Sequence, residues 1–392
     1  MMRSKKKQTT PKKIRTEPVS SRVEKLFIVD KEALAGALTW AHRIVERRQT
    51  IPVLSTILLG TNGNDGLFFA TTNNEQEITG KIPAQVMKES AFAVSAHKLY
   101  AIALRMPEKE ITFSLVKDFV NRIKITSGDV EFVLPSLAGE AFPMMEKAKD
   151  DVSFDLSAEE FLSLIDTTFF AVSTDETCYN LNGVYLHETE DKLVAVATDG
   201  HRLARVLVPL PQGAKGMPAV IVPRQTLEKM IELVREKMKP VHVFVSSNQI
   251  RFTTDGIEML SRVIDGTYPD YERAIPVNNH QVMQVNVRAF VNALDRVAIV
   301  SEKSRGVRLS FSKNTLSVEG DNGDEGRGRD QIPIQYNRDD FEIGFNYRYL
   351  LDILTQIKGK NVEMVFDSSV TPAILKDAEN DAVLYVLMPM RV

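Results

Sequence analysis

A strand followed by a helix recurs three times along this chain, and that recurrence limits what it can fold into more than any other feature. Segment 27–41 carries Leu34 and Leu38, segment 154–169 carries Phe161 and Ile165, and segment 285–300 carries Phe290 and Leu294. Apolar residues four apart define one helix face, and the corresponding positions lie 127 and then 129 residues apart. A second helix recurs behind them: Phe92-Ala93-Val94 leads to Leu99, Ile221-Val222-Pro223 to Leu227, and Gly344-Phe345-Asn346 to Leu350, at separations of 128 and 123 residues. Between the two helices each copy holds a hairpin-like pair: 57–59 with 67–70, 184–186 with 193–196, and 307–309 with 316–318. The stretches at 62–66 and 188–191 have suitable turn chemistry. Three features in the same order, three times, predict three tandem copies of one α+β domain, each with two helices packed on antiparallel sheets. The expected layout is a basic disordered extension over 1–24 and copies over 25–149, 150–276 and 277–392. Ser157-Ala158-Glu159-Glu160 is a capping-box pattern, and Pro223 marks the opening of the second helix of copy two.

Charge is distributed unevenly. The net charge is −3, yet residues 1–25 hold nine Lys or Arg against Glu17 and Glu24, so the remaining body carries about −10. The extension reads either as a solvated tail or as an arm making non-specific DNA contacts. An acidic body can bind an anion only where its basic residues collect on one surface. No run of about eighteen apolar residues occurs, which argues against a membrane-spanning helix and makes the cytoplasm the expected compartment. One cysteine, Cys178, allows neither an internal disulfide nor a cysteine-based zinc cluster.

Several motifs suggest chemistry and then fail to support it. Thr198-Asp199-Gly200-His201-Arg202 resembles an active-site loop, but no second His stands at ligand spacing, so a turn whose polar side chains cap nearby backbone is the better reading. The stretch 321–326 resembles a calcium loop, but Ile332 stands where the bidentate Glu belongs. There is no phosphate-binding loop or nucleophile elbow. No catalytic residue, cofactor or metal is expected. What remains is positive charge on the helices: Arg43, Arg47, Arg48, Lys98, Arg105, Arg224, Lys229, Arg288, Arg296 and Lys303. Each alone is a solvated face; gathered around one centre, they would neutralise phosphates without reading bases. The last stretch, 385–392, carries Met388 and Met390 and reads either as a buried strand or as an adaptable peptide-binding surface.

Taken in order, Thr50-Ile51-Pro52-Val53-Leu54-Ser55, Leu181-Asn182-Gly183, Ala197-Thr198-Asp199-Gly200-His201-Arg202-Leu203-Ala204, Val222-Pro223-Arg224, Asp265-Gly266-Thr267-Tyr268-Pro269-Asp270-Tyr271, 301–309, Glu342-Ile343-Gly344-Phe345-Asn346 and 385–391 resemble the bacterial replicative sliding clamps, the beta subunits of DNA polymerase III. The likeness runs over about 25–392. It implies a head-to-tail homodimer closing a six-domain ring around double-stranded DNA without sequence preference. It also implies a cleft between copies two and three that receives short peptides of the polymerase III alpha subunit, the clamp-loader delta subunit and other polymerases and repair proteins. By matching positions the cleft comprises Leu181, Thr198, Gly200, His201, Arg202, Leu203, Pro269, Arg273, Asn346, Tyr349, Val370, Pro372, Val386, Leu387, Met388, Pro389, Met390 and Arg391. The subunit contact pairs Phe132 and Leu134 with Ile299 and Val300, and Arg48, Arg224 and the loop from Asp175 to Tyr179 face DNA. The chain departs from the family pattern at Cys178-Tyr179-Asn180, Ala274, Ser304 and Val392. A tandem-repeat peptide-binding scaffold with no DNA role fits the repeats and the Met-rich stretch almost as well.

Overall fold

The computed structural model describes residues 23–46, 50–61, 63, 66–117, 121–149, 152–321, 323 and 326–392. The chain forms two compact units, one holding residues up to Thr71 with Lys81–Pro143, the other Thr72–Gly80 with Met144–Val392. The first unit holds most of copy one, whose residues 72–80 and 144–149 belong to the second. Its helices are α1 (Lys31–Ala41) and α2 (Ala96–Arg105). Asp30 starts α1 by accepting the Glu32 and Ala33 amides at 2.9 and 3.1 Å, which satisfies donors that a helix start leaves free. Leu34, Leu38, Leu99 and Ala103 are fully buried against the sheet, where Phe27 and Phe113 stack at 4.7 Å. The strands run antiparallel in the order Leu67–Thr72, Thr56–Thr61, Ala91–Ser95, Val130–Ala138, Arg122–Ser127, Glu110–Val116, Val23–Asp30, Ala84–Val86.

The second unit holds the other two copies. In copy two, 158–169 is one helical stretch, α3, built from Ala158–Phe161, a π turn at Leu162–Asp166, and Thr167–Phe169. The expected capping box is present: Ser157 Oγ accepts the Glu160 amide at 3.1 Å, and Glu160 accepts the Ser157 amide at 2.8 Å. Helix α4 is Arg224–Lys237, and Pro223 is its cap and the end of the preceding strand rather than its first turn. Copy three has α5 (Val287–Ala298) and α6 (Tyr347–Gln356), capped by Asn286 and Asn346, with Phe290, Leu294, Leu350 and Ile353 buried. Burying each such side chain is worth about 1.5–3 kcal/mol.

One antiparallel sheet joins these two copies. Its order is Val220–Pro223, Gly183–Thr189, Lys192–Thr198, Arg202–Pro209, Asn380–Leu387, Ala373–Asp377, Asn361–Phe366, Gln281–Asn286. The seam is the pairing of Arg202–Pro209 with Asn380–Leu387, in which Arg202 faces Leu387, Leu203 faces Val386 and Ala204 faces Tyr385. A four-stranded sheet covers the rest of copy three: Arg327–Pro333, Thr315–Asp321, Gly306–Ser312, Phe341–Asn346.

A buried carboxyl helps fasten the segment that leads into copy two. Glu77 lies on a strand that pairs with Ile257–Arg262, is 1% exposed, and accepts the Met145 amide at 2.7 Å. Burial, assisted by nearby Glu258, pushes its pKa above the usual carboxylate range, against the pull of the Met145 amide and Lys147. Folded protein therefore holds this proton more tightly than unfolded protein, so the stability it confers is complete below the ordinary carboxylate pKa and lost as pH rises through the raised value. The Glu77→Gln variant should lose this pH dependence. Urea unfolding across that range should show the difference between the two proteins changing and then levelling; parallel curves would contradict it.

Candidate functional site

The turn between two strands of copy two builds one end of the seam. Gly200 adopts φ +83°, a left-handed conformation that a glycine reaches without strain. Thr198 Oγ1 accepts the Gly200 amide at 3.1 Å and donates to the Arg202 carbonyl at 2.7 Å. Asp199 Oδ1 accepts the His201 and Arg202 amides, both at 3.0 Å. The turn is thus held by its own polar side chains, with His201 exposed at its tip. Asp199 is committed to Arg202 and to backbone, and among the described residues no group of three His, Cys, Asp or Glu could hold a metal.

Arg202 has more partners than its place in a peptide-lining list suggests. Its side chain is 11% exposed. Nε donates to Asp199 at 3.0 Å, Nη2 to the Phe170 carbonyl at 2.8 Å, and Nη1 to Asp352 of α6. The guanidinium also lies 5.0 Å from the Phe170 ring centre and 4.5 Å from that of Tyr349. It therefore ties the turn and α3 of copy two to α6 of copy three, and Tyr349 stands 6.0 Å from the His201 ring. Asp199 was legible as a capping side chain of the turn but not as a partner of the Arg202 guanidinium, and Phe170 and Asp352 had no sequence signal of their own; Asp352 could be found only as the residue three positions after Tyr349 on the same helix.

The strand register sorts the remaining expected cleft residues. Leu203 and Val386, paired across the seam, join a buried cluster with Val194, Val196, Ile221, Tyr268 and Tyr271, with Leu181 packed against it. Burial pushes the Tyr268 and Tyr271 hydroxyl pKa values up, so both stay neutral. Leu387 is fully buried opposite Arg202. Leu203 and Val386 are thus floor rather than open wall of the expected cleft, while Leu387, next to Val386 in the strand, points to the opposite face with Arg202. Beyond them Met388, 45% exposed, donates its amide to the His201 carbonyl at 2.9 Å, and the Met390 amide reaches the Gly344 carbonyl at 2.9 Å. Pro389 is half-buried and Arg391 exposed. Asn346 Oδ1 is occupied by the Arg348 amide at 3.0 Å. Pro372, whose carbonyl accepts from Asn279 at 2.9 Å, precedes the strand that pairs with Leu387. Val370 is 76% exposed and bonds within its own turn, Arg273 pairs with Asp270 at 2.7 Å, and Pro269 is exposed.

The expected DNA-facing residues are distributed unevenly. Arg48 and Arg47 lie outside the described residues, as does most of the 1–24 extension. Lys98 and Arg105 are exposed on α2. Arg224 is half-buried, 4.7 Å above the Phe169 ring and 3.4 Å from the Val172 carbonyl. Asp175 accepts from Thr177 Oγ1 at 2.7 Å and from its amide at 2.9 Å, which holds its carboxyl below the usual range. Tyr179 in the same loop is 58% exposed. Of the expected contact residues, Phe132 (40%) and Ile299 (78%) are exposed, Leu134 is buried within the first unit, and half-buried Val300 stands against Gly328 of its own edge strand.

Three family models match successive stretches of the chain: the N-terminal domain of the DNA polymerase III beta subunit over residues 25–146, the central domain over 155–270 and the C-terminal domain over 272–391. The beta sliding clamp of Caulobacter vibrioides is 39% identical over 370 residues, covering 93% of this chain and 99% of that protein. That of Escherichia coli is 32% identical over 369 residues with the same coverage. Among solved structures, the C. crescentus beta sliding clamp aligns at TM-score 0.90 and 38% identity over 94% of this chain and 99% of that one. The Bartonella birtlesii sliding clamp bound to griselimycin aligns at 0.89 and 37%, over 95% and 100%.

Removing one partner of a buried ion pair strands the other, whereas a pair open to water contributes little. Arg202→Ala should therefore destabilise the chain by about 3–5 kcal/mol. Asp352→Asn, at a side chain 49% exposed, should cost under about 1 kcal/mol. Urea unfolding of both variants checks the ranking; equal losses would contradict the hub.

Proposed function

The chain belongs to the bacterial DNA polymerase III beta-subunit family, the beta sliding clamps, and on that premise we propose that it works as a ring without a catalytic residue. Two copies would join head to tail through Phe132 and neighbouring residues of Val130–Ala138 on one side and Ile299 with the Arg327–Pro333 edge on the other. Arg327–Pro333 is an edge strand with backbone free for pairing along one side, and Val130–Ala138, which pairs with Ala91–Ser95 only over 136–138 among the described residues, presents the exposed Phe132 before that point. A closed ring cannot leave duplex DNA sideways, so retention needs no strong contact. Weak, salt-screened contacts from residues such as Lys98 and Arg105 leave it free to slide.

The single observation that carries the reading of partners is the seam of copies two and three. There an exposed Met388, the His201 and Tyr349 rings and an apolar floor of Leu181, Leu203 and Val386 come together. Such a surface suits an apolar peptide, since Met side chains adapt to different guests. The polymerase III alpha subunit, the clamp-loader delta subunit and repair proteins are the proposed guests. A polymerase held there would meet its primer end again as an intramolecular event. The cytoplasm is the proposed compartment.

The test is topological. Loaded onto a nicked circular plasmid, the protein should stay bound through gel filtration at moderate salt and be lost once the plasmid is linearised. Equal retention on both would mean ordinary surface binding, and no retention on either would favour a scaffold without a DNA role.

A further inference from the structure

Two glycines stand inside strands of copy three, where a side chain would normally pack. Gly306 begins Gly306–Ser312 and Gly344 lies in Phe341–Asn346. In the antiparallel register Gly306 faces Asn346 and Arg308 faces Gly344, so both glycines and Arg308 share one face of the sheet. The other face, with Val307, Leu309, Ile343 and Phe345, is core. The glycine face is the outer one, yet Gly306 and Gly344 are both buried.

What covers them is the stretch beyond the seam strand. A Cβ on Gly306 would fall on Val392 Cγ1; one on Gly344 would fall on Val392 Cγ2 and the Met390 carbonyl oxygen. Glycine within a strand marks close approach of another backbone, and here the approach is bonded: Met390 N donates to Gly344 O at 2.9 Å, and Arg308 Nη2 donates to the Val392 main-chain oxygen at 3.0 Å. Residues 388–392 are thus pinned at two ends, by the Met388 amide on His201 O and by Val392 on the glycine face.

We propose that Gly306, Gly344 and Arg308 form a seat for Val392 that positions Met388 and Met390 as a wall of the cleft. The seat stands on contacts within copy three, while its positioning role rests on the cleft reading above. Without the Val392 side chain in the seat, residues 388–392 keep their main-chain bonds to His201 and Gly344 but lose the packing that holds their far end, and a guest must then order them at its own entropic cost.

Val392→Gly removes the seated side chain and leaves the socket intact, so it cannot unfold the sheet; Gly344→Ala fills the socket from the other side. Hydrogen exchange by mass spectrometry, on fragments covering 388–392 of the full chain, should rise about tenfold in both variants. Fragments over Gly306–Ser312 should stay protected in Val392→Gly. Griselimycin, the ligand carried by the related Bartonella birtlesii clamp, should bind both variants several-fold more weakly than it binds the parent. Unchanged exchange in Val392→Gly overturns the seat. Raised exchange with unchanged griselimycin affinity overturns the positioning role alone, and a parent that does not bind griselimycin overturns it through the cleft reading.

Discussion

The guanidinium of Arg202 is the contact on which the functional surface depends. It sits where two domains that each have their own core must share a sheet, and it meets both. Asp199 and the Phe170 carbonyl fix it to copy two, and Asp352 with the Tyr349 ring fixes it to copy three. An arginine suits the position because its planar fork makes several hydrogen bonds and a ring stack at once, which a lysine cannot do. One half of its support is nearly dry and the other half is wet, since Asp199 and Asp352 are 15% and 49% exposed. The dry half carries most of the energetic consequence. Strand pairing does the rest: with Leu203 opposite Val386, a one-residue slip would turn the apolar floor outward.

The charge distribution has a related explanation. An acidic body encircling DNA requires its basic residues to be sorted, and several helix arginines are already balanced locally. Arg296 bonds Asp330 and Arg235 bonds Asp166. Such residues contribute less net attraction to phosphates than their number suggests. For a protein retained by topology this is compatible with function, because sliding needs contacts that are individually weak.

Much of the architecture was legible in the sequence because it is written in local periodicity. Leu34 and Leu38, Phe161 and Ile165, and Phe290 and Leu294 all turned inward as their spacing required, and the Ser157 to Glu160 box formed. The loop at Asp199 was legible as a turn because short polar side chains beside a glycine have few other uses. The seam was not: Leu203 and Val386 are distant in sequence, and nothing local in either strand names its partner. For the same reason the family pattern identified Arg202 as a cleft residue but not as a joint between domains, which depends on Asp352 and Phe170. Gly306 and Gly344 were signals of close backbone approach that acquire meaning only once the stretch at 388–392 is seen above them.

The central claim is that this chain closes a ring. Negative-stain electron microscopy of the purified protein tests it most directly. Two-fold particles with a central hole wide enough for duplex DNA, built from two chains, are expected. Compact particles without a hole, or single chains at concentrations where a stable interface would hold, would contradict it.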